Sequence, residues 1–257
     1  MVGEDGTRWR RTGAHPLILG HRGASAHATE NTLAAFERAA RDGADGVELD
    51  VLCCRSGEVV VFHDDDLLRL AGRPERVAGL SWQALRAVRL QGGGGIPLLD
   101  QAFEACGPTL LVNVELKSAG LFDQDLPRLV AGVGASLRRC RTEERVIVSS
   151  FDPRAVGLWK QAHPRVPCAL LFEKGGLAAL AKALTLPLLR PAAAHPEAAL
   201  CRPELVRRWH DIGYQVNTWT VDDPARLRAL AAMGVDGIIA NDPAGARAAL
   251  SAAGPDQ

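Results

Sequence analysis

The chain has 257 residues, of which 47% are hydrophobic, and its 30 Lys and Arg residues balance its 30 Asp and Glu residues. A formal net charge of zero creates no overall field that would attract nucleic acid, so any anion site must be local. No stretch approaches the roughly 18 consecutive apolar residues that a membrane span needs, so we expect no integral membrane association.

Six cysteines are scattered through apolar or helical segments without a CxxC pair, and the first eleven residues are charged rather than apolar. This pattern lacks both a disulfide framework and a secretion signal. We therefore predict a reduced, cytoplasmic protein, with residues 1–13 as a flexible N-terminus.

Short apolar strands alternate with amphipathic helices along the chain. The predicted strands cover residues 16–20, 46–52, 110–116, 145–149, 168–172, a part of 188–195, 215–221 and 236–240, with a further extended piece at 58–62. The predicted helices cover residues 31–42, 126–139, 153–161, 177–184, 203–211, 225–233 and 244–253.

Alternating strands and helices indicate a parallel sheet of the α/β class with right-handed crossovers. Eight units in about 250 residues favour a closed (β/α)8 barrel, or TIM barrel, which we place in a single domain at residues 14–253. A doubly wound open sheet is the rival fold. It is disfavoured because no GxGxxG or P-loop motif follows a strand.

Residues 67–96 interrupt this alternation after the second strand. They contain one short helical piece at 81–88 and then four consecutive glycines at 92–95. We predict a small insertion over one barrel mouth that ends in a flexible hinge. An irregular surface loop is the alternative.

Polar side chains concentrate at predicted strand ends, where a barrel of this kind has its active site. Alternation puts Glu48 and Asp50 on one face of the second strand, and Asn113, Glu115 and Lys117 on one face of the third. Three inward carboxylates would repel one another unless a cation lies among them, and all-oxygen ligands favour Mg²⁺ or Ca²⁺ over zinc. The alternative is that these acids form salt bridges or face solvent.

Two histidines follow predicted strands, His21 and His63. Because imidazole titrates near neutral pH, they are candidates for a catalytic acid and base. Arg22 and Lys117 supply positive charge that suits a phosphate oxygen. The other histidines are interpreted as surface residues: His15, His27, His163, His195 and His210.

Several motifs occur in a fixed order between Leu17 and Pro243. They are His21-Arg22-Gly23, Glu30-Asn31-Thr32, Gly46-Val47-Glu48-Leu49-Asp50, Val61-Phe62-His63-Asp64, Glu115-Leu116-Lys117, Ser149-Ser150-Phe151-Asp152 and Asn217-Thr218-Trp219. As an ordered set, this pattern resembles the glycerophosphodiester phosphodiesterase family. The resemblance implies a (β/α)8 barrel with a small insertion over the site. It also implies metal-dependent hydrolysis of glycerophosphodiesters to sn-glycerol 3-phosphate and an alcohol.

The resemblance implies roles for the charged and imidazole side chains. Glu48, Asp50 and Glu115 match the carboxylates that hold one divalent cation. His21 and His63 match the catalytic acid and base, without indicating which is which. Whether water or the substrate's own 2-hydroxyl is the nucleophile also stays open.

The resemblance further implies the residues that bind substrate. Arg22 and Lys117 match phosphate-binding positions, and Trp219 matches a wall near the glycerol moiety. Asn31 matches a residue that supports the loop after the first strand. Phe151 either lines the pocket or belongs to the core.

The chain departs from the family pattern near the site. Asn241 replaces a common Thr before Asp242-Pro243, and Leu70-Ala71 replaces a common Thr-Thr after Arg69. These changes leave each proposed catalytic residue in place. Because Leu70 and Ala71 fall in the insertion, they bear on substrate specificity rather than on the chemistry.

Three other functions compete with this interpretation. A lysophospholipase D or sphingomyelinase D relative would need a more apolar mouth, and a metal-assisted enolisation or aldol enzyme would not need two histidines. A phosphodiester-binding protein without activity would be expected to lack one of His21 and His63. The expected partner is a small-molecule glycerophosphodiester rather than nucleic acid, with the chain as a monomer or homodimer.

Overall fold

The computed structural model describes Trp9, Gly13 and residues 15–118, 125–175 and 185–252. Its strands are β1 (Leu17–His21), β2 (Gly46–Cys53), β3 (Val59–Val61), β4 (Leu111–Leu116), β5 (Val146–Ser150), β6 (Cys168–Phe172), β7 (Ala193–Pro196), β8 (Gln215–Thr218) and β9 (Gly237–Ala240). All pairings are parallel except that of β3, which runs antiparallel to β2. Because β1 pairs with both β2 and β9, the sheet closes into the predicted eight-stranded parallel barrel.

The helices surround this barrel. They are α1 (Leu33–Arg41), α2 (Leu68–Ala71), α3 (Trp82–Leu85), α4 (Leu99–Ala105), α5 (Leu126–Cys140), α6 (Pro153–Ala162), α7 (Pro203–Asp211), α8 (Pro224–Ala232) and α9 (Pro243–Ser251). Residues 185–189 are also helical, whereas the helix predicted at 177–184 lies outside the described residues. None of the described helices combines the length and the apolar character needed to cross a membrane.

Three helices begin at an Asp-Pro dipeptide. In each, the Asp side chain accepts a hydrogen bond from a backbone N–H of the first turn, and Pro occupies a position where it costs no helical hydrogen bond. The dipeptides are Asp152-Pro153, Asp223-Pro224 and Asp242-Pro243. The start of these helices is therefore encoded locally.

The structure differs from the prediction before β4. Helix α4 was not predicted, although Leu99, Ala102 and Phe103 form a buried face on it. With seven residues and no side-chain cap at Leu98, it has too little periodicity to be recognised from sequence. The helix predicted at 81–88 is also shorter in the structure, where α3 spans four residues.

The barrel interior is apolar at the amino ends of its strands. An inner cluster contains Leu19, Leu111, Ile147, Ala169, Ala193, Ile239 and Trp9. Trp9 lies in the segment that was expected to be flexible, yet its side chain is only 2% exposed. Burial of this large indole against the strands corrects that expectation at Trp9.

The insertion at residues 67–96 has a small core of its own beside β3. Leu67, Val77, Leu85 and Val88 pack there with Phe62. The segment then turns through three consecutive glycines with φ between 83° and 100°, a conformation that side-chain-bearing residues rarely adopt. The insertion therefore packs against the hairpin that follows β2, next to the carboxyl ends of the strands.

Candidate active site

A cavity of about 300 Å³ opens at the carboxyl ends of the barrel strands. Its lining residues are His21, Arg22, Glu48, His63, Asn113, Glu115, Lys117, Phe151, Leu171, Glu173, Trp219, Thr220 and Ile239. The lining includes each predicted site residue except Asp50 and Asn31, which lie behind it. The catalytic face of a barrel is the carboxyl end of its strands, so this cavity is the candidate active site.

A larger groove of about 640 Å³ lies at the opposite end of the barrel, between α4 and α5. Its lining includes Asp100, Glu104, Cys140 and Arg145 and none of the predicted site residues. The groove lies before the strands β4 and β5 rather than after them, so we assign no chemistry to it.

Glu48 and Glu115 line the bottom of the cavity and Asp50 lies behind them; we call these three carboxylates the acidic floor. One oxygen from each lies within 4.8 Å of the others, and all three side chains are buried. The arrangement follows from sheet geometry, because Asp50 and Glu115 are partners in the parallel pairing of β2 with β4. Buried, all-oxygen ligands of this kind fit a hard divalent cation.

A second group of potential ligands is less suitable. His27, Asp42 and Asp242 also approach within 4.8 Å, but His27 is exposed. Asp242 already caps α9 through the Gly245 N–H, and Asp42 accepts a hydrogen bond of 2.7 Å from Arg38 Nε. Because these acids already have structural partners, we assign no cation to this group.

The acids of the floor repel one another. Burial, followed by the charges of Asp50 and Glu115, raises the pKa of Glu48 well above its ordinary value. Burial and the charge of Asp50 raise the pKa of Glu115 to about 7, against the opposing effect of Lys117. Lys117 Nζ lies 2.9 Å from Glu115 and 3.4 Å from Asp50, so one ammonium group does not neutralise the floor.

The loop after β1 holds two acids of the floor in place. Asn31 Nδ2 donates to Asp50 Oδ2 at 2.8 Å, and Asn31 Oδ1 accepts from the Asp50 backbone N–H at 3.3 Å. The Arg22 backbone N–H donates to Glu48 Oε2 at 3.0 Å. Asn31 and Arg22 have φ of 57° and 53°, a left-handed conformation that Asn tolerates better than most residues. Asn31 therefore contacts an acid of the floor directly.

His21 is held by a residue from the opposite end of the sequence. Its Nδ1 lies 2.7 Å from Asn241 Oδ1, and Asn241 Nδ2 donates to Asp222 at 2.6 Å. Because the Asp222 carboxylate only accepts hydrogen bonds, the amide nitrogen must face it and the amide oxygen must face His21. His21 therefore carries its proton on Nδ1 when neutral, and its Nε2 lies 4.0 Å from Glu48.

Burial favours the neutral form of the His21 ring. Burial and the neighbouring charge of Arg22 lower the pKa of His21, although Asn241 and the nearby acids oppose the shift. At neutral pH, the ring thus presents the lone pair of Nε2 on the cavity side. This is the form of imidazole that accepts a proton.

His63 is held by charged residues, and we call Glu30, Asp64 and Arg69 the rim network. His63 Nδ1 donates to Asp64 at 2.7 Å, and Arg69 Nε donates to the other Asp64 oxygen at 2.7 Å. Arg69 also donates to both oxygens of Glu30, at 2.9 and 2.6 Å, and Arg22 binds Glu30 at 2.7 Å. Burial would raise the pKa of Glu30, but Arg69 and Arg22 hold it at about 2.

Two aromatic rings form one wall of the cavity. The rings of Phe151 and Trp219 meet edge to face, with centroids 5.4 Å apart and planes at 85°. Trp219 Nε1 donates to the His195 carbonyl at 2.9 Å, which fixes the indole. Phe151 lines the cavity, so the alternative of a purely core position does not hold.

The structure corrects the expectation that His195 lies at the surface. Its side chain faces the barrel interior and is 1% exposed, and burial lowers its pKa to about 3. Asn217 Nδ2 lies 2.9 Å from His195 Nε2, so the amide donates to a neutral ring. No local signal distinguished this histidine, because β7 is only four residues long.

The partners of the two site histidines were not predicted from the sequence. Asn241 was recognised only as a departure from a motif, and Asp222 and Arg69 were given no role. Asn241 and His21 are 220 positions apart, and only closure of the barrel through the pairing of β1 with β9 brings them together.

The sequence model of the glycerophosphoryl diester phosphodiesterase family matches residues 21–245, which contain the whole of this site. The chain belongs to this family. A glycerophosphodiester phosphodiesterase of Caldanaerobacter subterraneus subsp. tengcongensis is 32% identical over 235 residues, which cover 88% of this chain and 94% of the relative.

Solved structures of this family have the same fold. A putative glycerophosphoryl diester phosphodiesterase from Silicibacter pomeroyi DSS-3 superposes with a TM-score of 0.85 at 26% identity, covering 95% of this chain and 96% of that chain. A phosphodiesterase from Oleispira antarctica, in complex with the product sn-glycerol-3-phosphate, has a TM-score of 0.83 at 24% identity and covers 92% and 97%. The chain is therefore a glycerophosphodiester phosphodiesterase, a phosphoric diester hydrolase on a TIM barrel.

Proposed function

We propose that this enzyme hydrolyses glycerophosphodiesters to sn-glycerol 3-phosphate and an alcohol, with one divalent cation, Mg²⁺ or Ca²⁺, at the acidic floor. The observation that carries the proposal is the convergence of three buried carboxylates, whose oxygens lie within 4.8 Å of one another. They lie beside a cavity that is lined by His21 and His63. Carboxylate oxygens would bind the cation, which when bound supplies charge stabilisation at a phosphate oxygen.

The charge of the site suits a phosphodiester. Three carboxylates, a divalent cation and the side chains of Arg22 and Lys117 leave a net charge of about plus one, which complements a monoanionic diester. Arg22 and Lys117 both line the cavity and are held by acids of the floor, at 3.4 Å from Asp50 in each case. We assign them to the phosphate oxygens.

The two histidines have different surroundings, which suit different roles. His21 has a lowered pKa and a neutral amide at Nδ1, so it accepts the proton of the nucleophile. His63 has the Asp64 carboxylate at Nδ1, an arrangement suited to an imidazole that carries and donates a proton. His63 then protonates the leaving alkoxide.

The aromatic wall suits contact with the C–H groups of the glycerol moiety. Trp219 is fixed by its bond to the His195 carbonyl, and Phe151 meets it edge to face. We propose that this wall positions the glycerol moiety while its hydroxyls face the polar side of the cavity.

A panel of substrates tests the proposal. Purified protein is incubated with glycerophosphocholine, glycerophosphoethanolamine, glycerophosphoglycerol and glycerophosphoinositol, and sn-glycerol 3-phosphate is measured by a coupled dehydrogenase assay. We expect release with Mg²⁺ or Ca²⁺ and loss of activity in EDTA that either ion restores. Full activity in EDTA after exhaustive dialysis would refute the cation, and no release from any of the diesters would refute the substrate class.

The runner-up is a lysophospholipase D or sphingomyelinase D-like activity, and the apolar wall of Leu171, Phe151 and Trp219 is its support. The rim network argues against it, because Glu30, Asp64 and Arg69 place charge where an acyl chain would need apolar contacts. Lysophosphatidylcholine and sphingomyelin are tested beside glycerophosphocholine with released choline as the readout, because their cleavage yields choline and no free glycerol 3-phosphate. Faster turnover of either one than of the water-soluble diesters would favour the runner-up.

We propose a reduced, cytoplasmic environment for the enzyme. Five cysteines are free thiols, and four of them are buried, which suits a compartment that does not form disulfides; they are Cys54, Cys106, Cys140, Cys168 and Cys201. Assembly as a monomer or a homodimer stays a prediction, which size-exclusion chromatography with light scattering measures directly.

A further inference from the structure

Asn113 occupies an unusual position at the bottom of the cavity. Its side chain faces the barrel interior from β4 and is completely buried, yet it lines the cavity beside Glu48 and Glu115. Neither Nδ2 nor Oδ1 of Asn113 has a hydrogen-bond partner among the described residues. A primary amide that is both buried and unpaired at both atoms calls for a ligand.

Other buried amides of this barrel are paired. Asn31 exchanges two hydrogen bonds with Asp50, and Asn217 donates to His195. Buried amides in proteins are nearly always bonded in this way, because an unpaired polar group loses its contacts with water and gains nothing in return. The contrast indicates that the Asn113 amide is matched to something other than the protein.

The position of Asn113 indicates which partner its amide could bind. Asn113 is the parallel-sheet partner of Glu48, and it lies two residues before Glu115 on the same face of β4. The amide thus adjoins two acids of the floor. Mg²⁺ takes six oxygen ligands and Ca²⁺ about six to eight, which is more than three carboxylates supply with one oxygen each.

The position of Asn113 also favours a ligand without charge. A fourth carboxylate would add to the repulsion among the three acids of the floor, whose oxygens already lie within 4.8 Å of one another. An amide oxygen is a ligand that hard cations accept, and it adds no charge. We propose that Asn113 is a further protein group of the cation site and that its Oδ1 binds the cation directly or through one water. This inference rests on the cation of the proposed function.

Cation binding without substrate tests the inference. Titration calorimetry with Mg²⁺ and with Ca²⁺ compares wild type with Asn113→Leu, which keeps the approximate volume and removes the oxygen. We expect affinity to fall about 10- to 100-fold, the usual effect of removing a group that supports a metal. We also expect the metal-free Asn113→Leu protein to melt at or above the wild-type temperature, because the amide that it loses is unpaired.

Two further variants separate a role at the cation from a role in packing. Asn113→Asp keeps an oxygen at the same place and should retain cation binding, although its metal-free form should melt at a lower temperature. Thr142→Val is the matched control, since Thr142 Oγ1 is also buried and unpaired among the described residues but lies beside the groove at the opposite end of the barrel. We expect Thr142→Val to bind both cations with wild-type affinity.

The outcomes distinguish this inference from the proposed function. Wild-type cation affinity in a folded Asn113→Leu protein overturns the inference and leaves the proposed function intact. Should Asn113→Leu not fold, Asn113→Ala takes its place, and wild-type cation affinity in that variant also overturns the inference. Loss of affinity in Asn113→Leu alone supports the inference, even if the wild type hydrolyses none of the diesters, a result that contradicts only the proposed function.

Discussion

The acidic floor and the rim network both contain Glu and Asp, and their carboxylates behave in opposite ways. In the floor, burial and mutual repulsion raise the pKa of Glu48 and bring that of Glu115 to about 7. In the rim, arginine contacts overcome burial, so the pKa of Asp64 is lowered and that of Glu30 falls to about 2. The acidic floor lacks the positive charge that would neutralise its carboxylates, whereas Arg69 and Arg22 supply that charge to the rim network.

The difference follows from the elements that carry these residues. Strand alternation on β2 and β4 forces the acids of the floor inward, where they cannot turn towards separate arginines. Glu30 and Asp64 lie on loops, and Arg69 lies on α2 of the insertion, so these side chains reach one another. We infer that the floor receives a cation and that the rim orients His63.

The largest effect should come from breaking the floor. In Glu115→Gln, loss of one charge should lower both cation affinity and kcat/KM by at least about 100-fold, since a direct ligand matters more than a supporting group. Calorimetry and steady-state kinetics measure the two effects. Glu37→Gln, on an exposed face of α1, is the control, and a Glu115→Gln enzyme as active as this control would contradict the role of the floor.

The next largest effect should come from replacing either His21 or His63, and it distinguishes their roles. On glycerophosphocholine, His21→Ala and His63→Ala should each lower kcat by about 100-fold or more. On a p-nitrophenyl glycerophosphate, whose leaving group needs no proton, His63→Ala should recover most of its activity and His21→Ala should not. The reverse pattern would exchange the roles of acid and base, and no loss in either variant would remove that residue from the mechanism.

A smaller effect should come from the support of His21. Asn241→Ala should lower kcat about 10-fold with little change in KM, because the ring remains but its tautomer and orientation are no longer fixed. Asn241→Thr keeps an oxygen that can accept from Nδ1 and should be less affected. Equal loss in Ala and Thr variants, with a lowered melting temperature, would assign Asn241 to stability rather than to orientation.

The rim network should respond more weakly still. Arg69 is nearly half exposed, and such ion pairs contribute about 1 kcal/mol or less each, so Arg69→Ala should reduce kcat/KM by several-fold only. Arg69→Lys keeps the charge but not the planar fork that contacts two acids at once, so it should recover part of this loss. Steady-state kinetics on the same diester measures both, and a loss as large as that of His63→Ala would show that the rim does more than orient.

The smallest effect is on stability, and it has opposite signs in the two regions. Glu115 has a folded-state pKa of about 7, above its unfolded value of about 4.3, so the stability that it contributes is complete below pH 4.3 and is lost as pH rises to 7. Glu30 has a folded-state pKa of about 2, so its contribution is present above its unfolded pKa and is lost as pH falls towards 2.

Thermal melting of the metal-free enzyme between pH 4.5 and 8 measures the first of these effects. We expect the midpoint to fall as pH rises, by about 2 to 4 °C for each kcal/mol lost, and a divalent cation to reverse the fall. Glu115→Gln should have a flatter profile. A wild-type midpoint that rises steadily across this range would contradict a floor short of positive charge.

Much of the fold and the floor could be predicted from sequence because their signals are local. Strand alternation alone put Glu48, Asp50 and Glu115 on inward faces, and Asp-Pro dipeptides mark the starts of three helices. The order of the motifs then indicated the family. These features depend on residues close together in the chain.

The rest depends on contacts that no local pattern encodes. Asn241 reaches His21 only because the barrel closes, and Arg69 joins Glu30 across 39 positions. His195 and Trp9 were assigned to the surface and to a flexible segment, since neither has a periodic neighbourhood that would indicate burial. Glu30 and Glu115 are both glutamates, yet the fold lowers the pKa of Glu30 and raises that of Glu115.

The buried indole of Trp9 limits the routes by which substrate can enter and products can leave. It sits with Leu19, Ile147 and Ile239 beneath the cavity and fills the barrel axis with hydrocarbon, so the axis is not a channel. Substrate and both products must then use the same cavity mouth at the carboxyl ends of the strands. The order in which the alcohol and the phosphate depart therefore decides when the next diester can enter.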